Sequence, residues 1–168
     1  MKTNLANLMS IVAEEERKFA SYGYELKNHA YNTSAQELNG TITVIEDYKA
    51  DFEKEFKEYK NTQEKITKMK ATLYEKNNTF KLPDGRTIQE AIVDNTNLRK
   101  MKNLYKYLLE QKNTKNRITE VNNSYFECKN VNFDAEKIKE EYDELEKKIQ
   151  DTDFEISKLN SIEFDLDV

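Results

Sequence analysis

Apolar and aromatic side chains recur every seven residues along one segment of this 168-residue chain. We call these five positions the heptad seam: Ile45, Phe52, Tyr59, Ile66 and Leu73. A seven-residue period keeps such a stripe facing a partner helix, because two α-helices that coil around each other average 3.5 residues per turn. The repeat predicts a helix over about residues 41–78, roughly 57 Å long at 1.5 Å per residue. A rod of that length requires an antiparallel neighbour or an oligomer.

Three other segments space their apolar residues by three, four and seven, which is typical of an amphipathic helix. They cover about residues 4–32, 88–112 and 134–160. Between the helices, residues 32–40 contain cap and turn formers, residues 81–87 form a turn motif, and residues 113–133 form a loop or a small hairpin. The whole pattern predicts a single domain over residues 1–168.

Glycine and proline are scarce, with three and one in the chain. Tight turns need these residues, so a sandwich or barrel of many strands is disfavoured and long helices are favoured. The predicted fold class is therefore mainly all-α. We expect an elongated antiparallel coiled-coil bundle of about four helices with a short turn or a small β-hairpin insert.

The last eight residues have a different pattern, in which apolar and polar residues alternate. The apolar positions are Ile162, Phe164, Leu166 and Val168. Alternation places these side chains on one side of an extended chain. The tail over residues 161–168 is therefore predicted to be a strand or an extended peptide that docks on the protein.

Charge is distributed unevenly, although the net charge is only −5. Seven cations and one acid, Glu110, lie between residues 95 and 117, while thirteen acids and five lysines lie between residues 134 and 168. A cationic helix that also carries Tyr105 and Tyr107 is compatible with a nucleic-acid surface. Antiparallel pairing with the acidic last helix explains the same charges within one chain, so nucleic acid is not the expected partner.

No catalytic constellation, cofactor motif or metal site is visible in the sequence, so the chain is predicted not to be an enzyme. His29 is the sole histidine, which excludes a His-based triad and a multi-histidine metal site; we expect a seam residue with a solvated tip. Cys128 has no activating cation or base nearby in sequence, so a small packed side chain is expected. No run approaches the about 20 apolar residues of a membrane span, and the start lacks an apolar leader, which predicts a cytoplasmic location.

The turn motif combines residue types with defined backbone roles. Pro83 presets a turn, and Gly85 can adopt positive φ. Thr87 and Glu90 stand three apart before an apolar run, the spacing of a capping box. Arg86 is predicted to reach helix carbonyls or a nearby acid, although an arginine beside a helix N-terminus can also hold an anion.

The run from Asn77 to Ile92, which contains Leu82-Pro83-Asp84-Gly85-Arg86-Thr87, resembles a pattern of septicolysin-like bacterial proteins, a family without established activity. Ile149-Gln150 and Asp153-Phe154 resemble the family's Ile-Gln-x-x-Asn-Trp. The likeness covers about residues 66–156 and implies an all-helical coiled-coil fold. The family positions carried over, either structural or an anion site, are Asn78, Asp84, Gly85, Arg86 and Thr87.

These observations leave three hypotheses about function. The first is a structural or interaction protein that self-associates as a homo-oligomer, through helices one and two, or binds another protein. The second is a membrane-acting cytolysin, which only the family label suggests. The third is a small ligand binder that uses the turn from Asp84 to Arg86.

Overall fold

The computed structural model describes residues 1–166 and is mainly helical. Its helices are α1 (Leu5–Asn28), α2 (Lys49–Thr79), α3 (Ile88–Glu110) and α4 (Ala135–Asn160). Its strands are β1 (Lys2–Asn4), β2 (Thr33–Gln36), β3 (Ile42–Glu46), β4 (Thr114–Thr119), β5 (Ser124–Lys129) and β6 (Glu163–Asp165). They form antiparallel pairs, β1 with β6, β2 with β3 and β4 with β5. The prediction of a mainly helical fold is confirmed.

The chain is divided into two compact units, and the single domain expected from the sequence stays a prediction. The first unit contains residues 1–79 and the chain from Asn160 onward, and the second contains Phe80–Leu159. The first unit is therefore discontinuous in sequence, with the whole second unit inserted between its two parts.

Helices α1 and α2 of the first unit lie antiparallel and share an apolar cluster. Leu8 and Val12 near the start of α1 pack with Met69 in the last third of α2 and with Leu166. Further along α1, the ring of Phe19 stacks on that of Tyr59 with centroids 4.1 Å apart. The predicted helix partner of α2 is thus α1 of the same chain.

The predicted docking of the C-terminal tail is confirmed for the described residues. β6 pairs with β1 in the register Lys2 with Asp165 and Asn4 with Glu163. This pairing carries Leu166 into the apolar cluster, where it is almost fully buried. Val168, the last apolar position of the predicted tail, lies outside the described residues.

Helices α3 and α4 of the second unit also lie antiparallel, and charged side chains cross between them. Arg99 pairs with Asp153 at 2.6 Å, and Lys102 pairs with Glu146 at 2.6 Å. As the residue number rises along α3, the partner's number falls along α4. The interpretation that the basic helix pairs with the acidic one is confirmed.

One polar side chain is enclosed between these two helices. Asn95 is 1 % exposed, and its Nδ2 donates to the carbonyl oxygen of Ile149 at 3.2 Å and to Asp153 Oδ1 at 2.9 Å. The two donated bonds span one turn of α4. Asn95 Oδ1 is buried without a hydrogen-bond partner among the described residues, so only the amide nitrogen is satisfied. Because a buried donor costs free energy unless it is paired, the two Nδ2 bonds favour one register between the helices.

The predicted start of the second helix was wrong. α2 begins at Lys49 rather than near residue 41, because residues 42–46 form strand β3. The run Ile42-Thr43-Val44-Ile45 is wholly β-branched and favours an extended chain, and Gly40 takes φ +90° in the preceding turn. Asp47 Oδ1 then accepts the N–H of Lys49 at 3.0 Å, at the start of α2.

The other boundaries differ less from the predictions. α1 ends at Asn28 rather than near 32, and α3 ends at Glu110 rather than 112. The segment over residues 113–133 contains a hairpin, β4 with β5, one of the two alternatives predicted. Coiled-coil packing and an elongated bundle remain predictions.

Candidate functional site

The turn motif has the predicted backbone. Gly85 adopts φ +90°, its N–H donates to the carbonyl of Leu82 at 2.9 Å, and the N–H of Leu82 donates to the carbonyl of Arg86 at 2.8 Å. Lys81 and Thr87 form an antiparallel bridge at the ends of the turn. Positive φ is the conformation that a residue with a Cβ adopts at a cost, so glycine is required here.

The predicted capping box at the start of α3 is confirmed. The N–H of Glu90 donates to Thr87 Oγ1 at 3.1 Å, and the N–H of Thr87 donates to Glu90 Oε2 at 2.7 Å. The Thr87 N–H lowers the pKa of Glu90, because it stabilises the carboxylate form. The turn therefore sets the direction in which α3 leaves.

Arg86 is held by two carboxylates rather than by helix carbonyls. Its Nη2 lies 2.6 Å from Asp84 Oδ2, its Nη1 lies 2.6 Å from Asp94 Oδ2, and its Nη2 reaches Thr152 Oγ1 at 3.4 Å. The guanidinium lowers the pKa of Asp84. An added anion would compete with these two carboxylates, so the geometry favours the structural role of Arg86 over the anion site.

Asn78, the remaining residue carried over from the resemblance, bonds within its own helix. Its Nδ2 donates to the carbonyl of Tyr74 at 2.8 Å, close to the C-terminus of α2. The side chain therefore adds a local bond within the last turns of α2 and, among the described residues, hydrogen-bonds to no other element.

The heptad seam is divided between two kinds of structure. Phe52, Tyr59, Ile66 and Leu73 lie on α2 and are half-buried, whereas Ile45 lies on β3 and is 62 % exposed. The seven-residue spacing between Ile45 and Phe52 is thus coincidental. Placing Ile45 on the helical seam was wrong for the reason given above, the β-branched run in which it stands.

A second cluster joins α1 to α2 and contains the sole histidine. Glu25, His29 and Glu55 each bring one ligand atom to a point where all three atoms lie within 4.8 Å of one another. His29 Nδ1 is 2.9 Å from Glu55 Oε2, and the imidazole stacks on Tyr48 with centroids 4.6 Å apart. We call these three residues the His–Glu cluster.

The electrostatics of the His–Glu cluster favour a positive charge. The hydrogen bond to Glu55 is the main cause that raises the pKa of His29, and Asp51 and Glu25 add to it. All three members of the cluster are half-buried. One ring nitrogen of His29 thus meets a carboxylate from the facing helix, and the side chain is 21 % exposed, so the predicted solvated tip stays a prediction.

Two of the three members of the His–Glu cluster could have been grouped from the sequence. Glu25 and His29 are four residues apart, which places both on one face of a helix. Glu55 lies 26 residues further on. Only the register between α1 and α2 brings it near, and the sequence did not supply that register.

Cys128 is an exposed free thiol on β5. The prediction of a packed side chain was wrong, because both strands of this hairpin are almost wholly exposed and offer no core to pack against.

Comparisons with known proteins bear on the family and on the fold. A family model described as "Family of unknown function (DUF6847)" matches residues 30–165. The chain belongs to this family. No curated protein matches it. The resemblance noted above is thus supported at the level of an uncharacterised family, and no match carries the septicolysin label.

A solved structure supports the fold. A functionally unknown conserved protein from Corynebacterium diphtheriae is similar with a TM-score of 0.63 and 19 % identity, over 98 % of this chain and 100 % of that chain. At this identity the likeness concerns the fold alone. Within residues 1–166, no helix has both the length and the apolar character that crossing a membrane requires.

Proposed function

We propose that this protein is a non-enzymatic, cytoplasmic interaction protein that self-associates. The observation that carries the proposal is an exposed apolar stripe on α3, which borders α4 at Met101. We call it the outer face of α3; its members are Val93, Met101, Leu104 and Tyr107. Each is between 45 % and 58 % exposed.

The outer face is distinct from the buried side of the same helix. At about 100° per residue its four members fall within an arc of roughly 120°, and Ala91, Asn95 and Leu98 fall on the opposite side. A helix that already buries one face gains nothing within its own unit from a second apolar face. Large exposed apolar patches on proteins commonly mark interaction sites.

A second copy of the chain is the occupant that this face favours. Val93 and Tyr107 are placed symmetrically about Lys100, seven residues before and after it. Two antiparallel copies of α3 related by a two-fold axis at Lys100 would put Val93 of each copy opposite Tyr107 of the other. Lys100 lies within the same arc, so the two lysines would also approach at the axis, and we expect the association to strengthen with salt. The seam on α2, which suggested self-association through helices one and two, is already packed against α1.

Three alternatives have less support. The cations Arg99 and Lys102 are neutralised within the chain by Asp153 and Glu146, which reduces the charge available for nucleic acid. The ligand binder at the turn would require displacement of Asp84 or Asp94 from Arg86. The cytolysin alternative has no support from the family or from the similar structure.

Light scattering on the purified protein tests the proposal. We expect twice the chain mass of 19.9 kDa at micromolar concentration and a monomeric mass for Tyr107→Glu. Tyr74→Glu is the matched control, because Tyr74 lies on α2 and is also 58 % exposed. A wild-type mass of one chain would refute the proposal, and equal effects of the two substitutions would refute the role of the outer face.

A further inference from the structure

The His–Glu cluster has the composition and the spacing of a three-ligand metal site. Two of its members, Glu25 and His29, are separated by one turn at the end of α1, and the third, Glu55, faces them from α2. Imidazole nitrogen and carboxylate oxygen are both ligands of zinc. The three candidate ligand atoms lie within 4.8 Å of one another, close to the separations of ligand atoms around one ion.

Charge around the cluster is unbalanced. The negative charges of Glu55, Asp51 and Glu25 all raise the pKa of His29. Within residues 1–166, no lysine or arginine forms an ion pair with any of these three carboxylates, although ion pairs are frequent elsewhere on the same helices. A divalent cation would supply the charge that the side chains lack.

The imidazole is also oriented from outside the cluster. Its ring lies nearly parallel to that of Tyr48, with an interplanar angle of 15°. The backbone N–H of Tyr48 donates to Asn32 Oδ1 at 2.8 Å, and Asn32 Nδ2 donates to Asp47 Oδ1 at 2.9 Å. These bonds fix the segment just before α2. Ligand orientation by such outer contacts is a regular feature of metal sites.

We propose that Glu25, His29 and Glu55 bind a divalent zinc-class cation, through His29 Nδ1 and one carboxylate oxygen of each glutamate. The ion takes the place of the hydrogen bond between His29 Nδ1 and Glu55 Oε2. Their separation of 2.9 Å then widens to about 3.4 Å, the edge of a tetrahedron with bonds near 2.1 Å. The fourth position is left for water, because the cluster is only half-buried.

The three proposed ligand atoms favour some metal ions over others. One nitrogen and two carboxylates suit zinc, whereas calcium prefers six to eight oxygen ligands and magnesium prefers oxygen with retained water. The ion would connect the C-terminus of α1 to the first turns of α2. Its expected effect is therefore to raise the melting temperature of the first unit, independently of whether the outer face of α3 self-associates.

Calorimetric titration with zinc chloride tests the proposal. The protein is first stripped with a chelator, and Cys128→Ser serves as the background, because the exposed thiol is a zinc ligand in its own right. We expect one zinc ion per chain and a higher melting temperature with zinc than without. Calcium chloride should give neither effect.

Zinc binding by variants of the proposed ligands tests where the ion lies. Glu25→Gln should weaken zinc binding about tenfold or more, with an unchanged melting temperature in the chelated state, because Glu25 forms no ion pair there. His29→Gln should also weaken it. Glu58→Gln, one turn further along α2 and also half-buried, is the matched control and should bind as the parent does. Absence of saturable binding, equal binding of calcium, or unchanged binding in Glu25→Gln would overturn the assignment.

Discussion

Both helix pairs bury apolar side chains, but α1 and α2 add stacked aromatic rings, whereas α3 and α4 add a buried amide and two crossing ion pairs to Ile88, Ala91, Leu98 and Ile149. The first pair contains the Leu8 cluster and the stacked rings of Phe19 and Tyr59. The second contains Asn95 and the pairs of Arg99 and Lys102. Both sets of contacts join two helices in an antiparallel pair. Apolar area supplies most of the free energy of the first, while charge and hydrogen-bond geometry define the register of the second.

We expect the largest loss of stability from a substitution in the apolar cluster between α1 and α2. Leu8→Ala removes a side chain that is fully buried in the cluster with Met69 and Leu166. We expect the free energy of unfolding of the first unit to fall by about 3 kcal/mol, from lost burial and the cavity that remains. Urea denaturation followed by circular dichroism measures it. A loss as small as that of a surface substitution would mean that this cluster is not the main source of stability.

The buried amide should give the next largest effect. Asn95→Ala leaves the carbonyl of Ile149 and the carboxylate of Asp153 without this donor, and we expect a loss of about 2 kcal/mol in the second unit. Asn95→Leu sharpens the comparison. If Asn95 mainly selects the register, this variant should retain stability but lose the single set of NMR signals that a unique helix register gives. A leucine variant that is both stable and uniquely packed would contradict the role in register.

The crossing ion pairs should contribute little each. Lys102→Met removes one partner of a pair that is about one-third exposed, and we expect a loss of about 0.5 kcal/mol that diminishes at high salt. The matched measurement is on Lys70→Met, whose pair with Glu16 is in the first unit. A much larger loss for Lys102→Met than for Lys70→Met would show that the second helix pair depends on charge for stability as well as for register.

The pair of His29 and Glu55 should give the smallest change in stability, and that change should depend on pH. Pairing with Glu55 raises the pKa of His29 above its ordinary 6.5, so the stabilisation is full below pH 6.5 and is lost as the pH rises through the folded-state value. In chelator, wild type should therefore exceed His29→Gln in melting temperature at low pH and approach it at high pH. The opposite trend would contradict protonation of His29 in the folded protein.

The sequence predicted features that depend on near neighbours. Residue spacing along one helix found the four helices, and the Thr87–Glu90 capping box and the positive φ of Gly85 depend on positions within a few residues. The strand over residues 42–46 was missed because the helical period was extended through Ile45, although local β-branching opposed it. The His–Glu cluster was missed for another reason. It depends on the register of two helices, which is decided by the summed packing of many side chains rather than by any local pattern.

The pairing of β1 with β6 affects the order in which the two units can fold while the chain is being synthesised. Leu166 completes the cluster around Leu8, yet it leaves the exit tunnel only after all of Phe80–Leu159 has been made. The inserted unit can fold as soon as it emerges, because its own contacts are complete within its segment. The first unit, though synthesised first, can pack Leu8 and Val12 against Met69 early, but β1 and the side of the cluster that Leu166 covers stay open until the end of the chain is made.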